Sequence, residues 1–150
     1  MYETIVVGTD GSPTARQAVA HAAKLAALCN ARLHVVHAYR SPQAVLVAGI
    51  ATTPVPVEVH QQATESAEAS ARQICAEAAG DARRLGVKVE EHTVPSDPAE
   101  ALISMADHLG ADLLVVGNRG MSGVRRFVLG SVPNKVSHHC RCHLMIVNTC

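Results

Sequence analysis

The stretch VVGNRGMSGVRRFVLGSVPNKV, Val115 to Val136, carries four glycines and two serines directly behind a run of aliphatics. Glycine has no Cβ, so it reaches positive φ cheaply and lets backbone amides approach a ligand closely. Gly117, Gly120, Gly130 and Ser131 fall in the spacing G-x2-G-x9-G-S. With Ser131 as the capping serine of a helix that starts there, the segment ends in unpaired N–H groups and a positive dipole end, which suits phosphate. A second loop, GTDGS from Gly8 to Ser12, follows the first aliphatic run. Ser12 is better placed than Asp10 to cap the helix behind it, which leaves the Asp10 carboxylate for a ligand or a magnesium ion.

Other clusters are less eligible. The Walker A pattern is absent, and so is G-x-G-x-x-G after the first strand, so neither standard NTPase nor dinucleotide chemistry is indicated. HHCRCH, His138 to His143, contains zinc-ligand types, but Cys140 and Cys142 are one residue apart where structural zinc sites use wider spacing. His34 and His37 sit on opposite faces of one strand, and His21, His60, His92 and His108 are scattered, so no histidine dyad is expected. Without a base to activate water, efficient catalysis is not expected either. Arg125 and Arg126 could screen a terminal phosphate or simply be solvated.

These loops need a scaffold. TIVVG (Thr4 to Gly8), RLHVVHAY (Arg32 to Tyr39), VKVEEHTV (Val87 to Val94), DLLVVG (Asp112 to Gly117) and HLMIVNT (His143 to Thr149) are short and β-branched, as strands are. Alanine-rich helical segments lie between them. One is capped by Ser12 and Pro13 and ends near Asn30; another opens at Asp97 and Pro98 and ends near Gly110. A longer one runs from about Val59 to Leu85, closed by Gly86, and the last fades around Cys140. Alternating elements with strands apolar on both faces predict a doubly wound, five-stranded parallel α/β sheet with helices on each side, one domain over 1–150. In such sheets ligands sit beyond the strand carboxyl ends where the winding reverses. If the first and fourth strands are neighbours, in the order 3-2-1-4-5, both loops open onto one crevice. The Pro-rich segment from Arg40 to Glu58 is longer than ordinary connections and reads as a lid or interface loop.

Composition narrows the partners. At 150 residues and 48% hydrophobic, the chain can bury one core without disulfide staples. Lys plus Arg and Asp plus Glu both number 13 and aromatics are 2%, so neither a global field nor stacking rings favour nucleic acid or an anionic membrane. No stretch reaches about 18 uninterrupted apolar residues and the start carries no basic leader, so a cytoplasmic location is expected. Five irregularly spaced cysteines agree with a reducing compartment.

From IVVGTDGS through ADLLVVGNRG and VLGSVP to VSHHCRCHLMIVN, essentially the whole chain resembles a universal stress protein. The glycine spacing is similar to that of the family's nucleotide-binding branch. The resemblance implies an adenine nucleotide α-hydrolase-like fold and, as cofactors, ATP and magnesium. Triphosphate contacts are implied at Gly117, Asn118, Arg119, Gly120, Gly130, Ser131 and Val132. Thr9 and Asp10 would face ribose and phosphates, with Asp10 the metal contact, and the Ala38 backbone would meet adenine. Asn118 stands where the family more often has Ser or Thr, and Met121 where a basic residue occurs. The implied role is a stress-response regulator that binds ATP and acts through a downstream protein partner; a slow Mg-dependent ATPase and a cyclic-nucleotide (cAMP) binder are the alternatives. An unguarded apolar fifth strand at the sheet edge predicts a homodimer formed through it, which agrees with how family members pair.

Overall fold

Ile5, Val6 and Val7 are fully buried because the strand they form, β1 (Thr4–Gly8), is covered on both faces and paired on both edges. The computed structural model describes residues 1–41, 56–119 and 129–149. The chain continues through α1 (Pro13–Cys29), β2 (Arg32–Ala38), α2 (Val57–Arg83), β3 (Lys88–Val94), α3 (Pro98–Leu109), β4 (Leu113–Gly117), α4 (Ser131–His139) and β5 (His143–Val147). All four strand pairings are parallel, in the order β3-β2-β1-β4-β5. This is the predicted doubly wound sheet, and its winding reverses between β1 and β4. Among the described residues no helix is long and apolar enough to cross a membrane.

Strand periodicity divides the core in two. Ile5, Val7, Leu33, Val35, Leu113 and Val115 point to one face, where they meet Ala18, Ala22, Ala26 and Val19 of α1 and Cys75, Ala79 and Ala82 of α2. Val6, Val36, Leu114 and Val116 point to the other, under Ala99, Leu102 and Ala106 of α3 and Val136 of α4. The buried stripe of α1 recurs at helical spacing, Ala15, Ala18, Val19, Ala22, Ala23 and Ala26. Because those side chains are small, branched aliphatics on the sheet fill the gap and aromatic rings are not needed.

The ends of α1 and α3 follow their sequence signals. Ser12 Oγ accepts from the Ala15 amide at 3.1 Å, and Pro13 occupies the first turn. Asn30 ends α1 in the left-handed region at φ 53°, one of the few side chains that tolerates it. Asp97 caps α3 through Oδ1 to the amides of Ala99 and Glu100 at 3.2 and 3.3 Å. Lys135 of α4 reaches Glu100 at 2.9 Å and Asp97 at 3.5 Å, tying the two helices of that face together.

Two expectations need correction. β3 is not apolar on both faces: its Lys88, Glu90 and Glu91 are exposed, because it is an edge strand whose outer side meets water, and charge there blocks further pairing. α2 also starts at Val57 rather than Val59, claiming the end of the segment assigned to the Pro-rich loop. The rest of that loop, 42–55, lies outside the described residues. Strand limits otherwise differ by one or two residues, within ordinary fraying.

Asp112 locks the start of the central pair. Its Oδ2 accepts from the amides of Glu3 and Thr4 at 2.8 and 2.9 Å, while its own amide donates to the Thr4 carbonyl at 2.9 Å. The two backbone hydrogen bonds hold the carboxyl below its ordinary range. A depressed folded-state pKa contributes stability that is present above the unfolded value and lost as pH falls through the folded one. Asp112→Ala is therefore expected to lower the thermal midpoint by a few degrees at neutral pH, with the deficit shrinking below about pH 4. Melting curves of both proteins across that range provide the check; a deficit independent of pH would assign the loss to something other than the carboxylate.

Candidate nucleotide site at the winding reversal

The crevice forms where β1 and β4 end side by side. Thr9 leaves β1 with its amide donating to the Val36 carbonyl of β2 at 2.9 Å, and its Oγ1 accepts from the Gly11 amide at 3.2 Å. Asp10 Oδ1 accepts from the Ser12 amide at 2.9 Å, turning the chain into α1. Gly11 sits at φ 78°, so this turn uses glycine for its conformational freedom. Ala38, half-buried, ends β2 on the adjoining side.

Across the reversal, Gly117 ends β4 and is followed by Asn118 and Arg119. The Gly130 amide donates to the Asn118 carbonyl at 3.0 Å, which returns the chain to the strand end just as α4 begins. A Cβ built on Gly117 would lie 3.2 Å from the Arg119 carbonyl oxygen, and one on Gly130 would lie 3.4 Å from that of Asn118. Gly117 is thus tightly approached by backbone, whereas at Gly130 a Cβ would meet only ordinary van der Waals contact. Gly130 has φ −59° and neither glycine is among those with positive φ, so the conformational part of the earlier argument applies at Gly11 and not here.

Ser131 is also corrected. It is the first residue of α4, Gly130 is the N-cap, and no side chain caps this end. The physical reason is the Asn118 to Gly130 hydrogen bond, which sets the entry of the chain one residue earlier than a serine cap would. The first-turn amides of α4 are consequently left without a side-chain acceptor. Val132 is half-buried against the α3 and α4 core. Arg119 Nε is, among the described residues, the buried side-chain nitrogen or oxygen without a hydrogen-bond partner. A buried guanidinium nitrogen in that condition is costly unless an acceptor joins it. Gly120, Met121, Arg125 and Arg126 lie outside the described residues.

Two supports escaped sequence reasoning. His37, buried on β2, meets the Thr9 carbonyl through Nδ1 at 2.8 Å; since a carbonyl only accepts, Nδ1 carries the proton. It holds the Thr9 and Asp10 loop against β2, and the available signal was a histidine directly after the buried valines of that strand. Asn118 Oδ1 accepts from Thr149 Oγ1 at 2.7 Å and from the Thr149 amide at 3.1 Å, and its Nδ2 donates to Asn148 Oδ1 at 3.1 Å. Asn118 thereby clamps the glycine loop to the end of β5.

The expectation of no histidine dyad is overturned. His34 of β2 and His92 of β3 face each other, Nδ1 to Nε2 at 3.0 Å with rings stacked at 5.2 Å. They are 58 residues apart in sequence, so no local spacing could reveal them. In the HHCRCH run, Cys140 and Cys142 bring their sulfurs within 3.2 Å. Burial first and the neighbouring thiol second push Cys142 up to about 12, so it is a protonated thiol at neutral pH.

A doubly wound α/β domain with glycine-lined backbone and an uncapped helix start at its switch point is a class that many ligand-binding proteins share. The model of the universal stress protein family matches residues 1–148. Universal stress protein Rv1636 of Mycobacterium tuberculosis is 36% identical over 149 residues, covering 99% of this chain and 97% of the relative. Universal stress protein YxiE of Bacillus subtilis is 32% identical over 149 residues, covering 98% and 99%. A solved universal stress protein in complex with cAMP superposes with a TM-score of 0.71 at 37% identity, covering 99% of this chain and 98% of its own. The chain belongs to the universal stress protein family.

Asn118→Ala should destabilise the protein by about 1–3 kcal/mol, because buried Thr149 loses the acceptor of both its donors. Asn118→Asp keeps an acceptor oxygen and should lose less. Urea denaturation ranks the three proteins, and equal losses in both variants would remove Oδ1 from the clamp.

Proposed function

We propose that this protein binds an adenine nucleotide in the crevice between the Thr9 to Gly11 turn and the glycine loop, and acts as a nucleotide-responsive regulator. The observation that carries the reading is the closure of Gly130 onto Asn118, which sets the uncapped start of α4 beside the end of β4. Phosphate oxygens would accept from those amides, and a branched side chain at Gly130, the N-cap, would stand beside them. The unpartnered Arg119 nitrogen supplies a cation of the right chemistry for the same group. Ser131 and Val132 would offer backbone to the phosphates, Thr9 would face the ribose, and the Ala38 backbone would meet adenine.

The finer reading is ATP with magnesium. Asp10 would contact the ion directly or through water, and the ion would neutralise phosphate charge. Nothing among the described residues of the crevice is set to activate water, so binding rather than turnover is the proposed activity. A second reading, cAMP, is favoured by the relative solved with that ligand, because the same amides could hold a single phosphate.

Calorimetric titration with ATP and with cAMP, each with magnesium and with EDTA, separates the readings. ATP should bind more tightly with magnesium, and Asp10→Ala should lose more affinity in magnesium than in EDTA. Gly130→Val should bind neither nucleotide while still unfolding cooperatively. A folded Gly130→Val with unchanged affinity would sink the crevice assignment, and magnesium-independent preference for cAMP would replace the ATP reading.

The same protein is proposed to be a homodimer through β5. Leu144, Met145 and Ile146 are only partly buried, and β5 is the sheet edge beyond β4. Where β3 carries exposed charge, β5 offers consecutive apolar side chains, and a second copy could pair antiparallel with it in an isologous interface. Light scattering across a dilution series should report a dimer for the natural protein and a monomer for a variant carrying Met145→Lys and Ile146→Pro. If that variant is folded and still dimeric, the interface lies elsewhere.

A further inference from the structure

A three-donor cluster lies on the β2 and β3 edge of the sheet, apart from the crevice. The parallel register sets His34 opposite Glu90 and Val36 opposite His92, so His34, Glu90 and His92 project from one face, the side that α3 covers. His34 Nδ1 is 3.0 Å from His92 Nε2 and 3.7 Å from Glu90 Oε2. One ligand atom from each residue lies within 4.8 Å of the other two. A tetrahedral zinc ion with bonds of about 2.0–2.2 Å holds its donors roughly 3.3 Å apart, so the two shorter distances bracket the spacing such an ion requires. The third edge lies within 4.8 Å, and the exposed Glu90 side chain is the one that would move to close it.

We propose that His34, Glu90 and His92 bind a divalent transition-metal ion of the zinc class. Two imidazoles and a carboxylate suit zinc and its first-row neighbours and disfavour magnesium and calcium, which take oxygen ligands. The side chain of His34 is only 3% exposed, whereas that of Glu90 is 57% exposed on an edge strand. The site is therefore anchored at one end and open at the other, with room for a water as fourth ligand. Burial lowers both histidines, which leaves neutral rings with lone pairs to give. The ion would take the place of the hydrogen between the two nitrogens, and the donor ring, still neutral, would carry its proton on its other nitrogen. Arg32 and His108 oppose positive charge here, and Glu90 is the group that favours it. His34 precedes Ala38 by four residues, about 13 Å along the strand, so the ion would not share the nucleotide's ligands.

The test uses the full chain, stripped with a chelator and kept reduced, titrated with zinc against a chromophoric competitor. One zinc ion per chain is expected. Glu90→Gln, at an exposed position that does not threaten folding, and His92→Gln should each weaken binding by more than ~10-fold, the loss typical even of outer partners. A variant with Cys140→Ser and Cys142→Ser should bind as the natural protein does, and cobalt(II) should give a visible spectrum without thiolate charge transfer. The proposal is overturned if zinc is not retained against the competitor, if Glu90→Gln and His92→Gln leave affinity unchanged, or if the cysteine variant abolishes it. Any of those outcomes would leave His34 and His92 a hydrogen-bonded pair only.

Discussion

The whole arrangement depends on β1 having no free edge and no free face. A strand buried on both faces and hydrogen-bonded on both sides must have helices above and below it, and its neighbours must come from different parts of the chain. β2 arrives on one side immediately; β4 arrives on the other only after the chain has passed through β3 and α3. The Asp112 contacts with Glu3 and Thr4 pin that late arrival at the strand start. At the opposite end the two chains part in opposite directions, and a crevice is what remains.

The walls of that crevice are built from backbone, and side chains serve mainly to hold the backbone in place. His37 fixes the turn after β1 through the Thr9 carbonyl, and Asn118 fixes the loop after β4 through Thr149. Ser12 is occupied in capping α1, whereas the start of α4 has no such occupant. The asymmetry between the two helix starts is what makes one of them a candidate for an anion. A protein that recognises phosphate through amides needs few charged residues to do so, which agrees with equal numbers of acidic and basic side chains.

The two sheet edges face water under different constraints. On β3, Lys88, Glu90 and Glu91 are exposed and the remaining residues half-buried, and the face shared with His34 of β2 holds Glu90 and His92 rather than aliphatics. Polar groups are tolerated there because they satisfy one another at the margin of the core. On β5 the aliphatic run continues to the rim, packing inward against both core clusters. One edge is closed to strand addition by charge, and the other is not.

The strands, the helices and the caps of α1 and α3 were legible because each is set by local physics: β-branched runs, alanine at helical spacing, Ser12 with Pro13, Asp97 with Pro98, and Asn30 and Gly110 at left-handed ends. The strand order was legible indirectly, since two unusual loops had to share a switch point. What tertiary structure alone decided is which distant atoms meet. The reach of Asn118 to Thr149, of His37 to Thr9 and of His34 to His92 depends on strand register and on crossovers, and a sequence records neither. The role of the glycines divides along the same line. Gly11 needs its conformation, which belongs to the turn itself. Gly117 needs space beside the Arg119 carbonyl, and only the course of the chain after β4 determines that this space is tight.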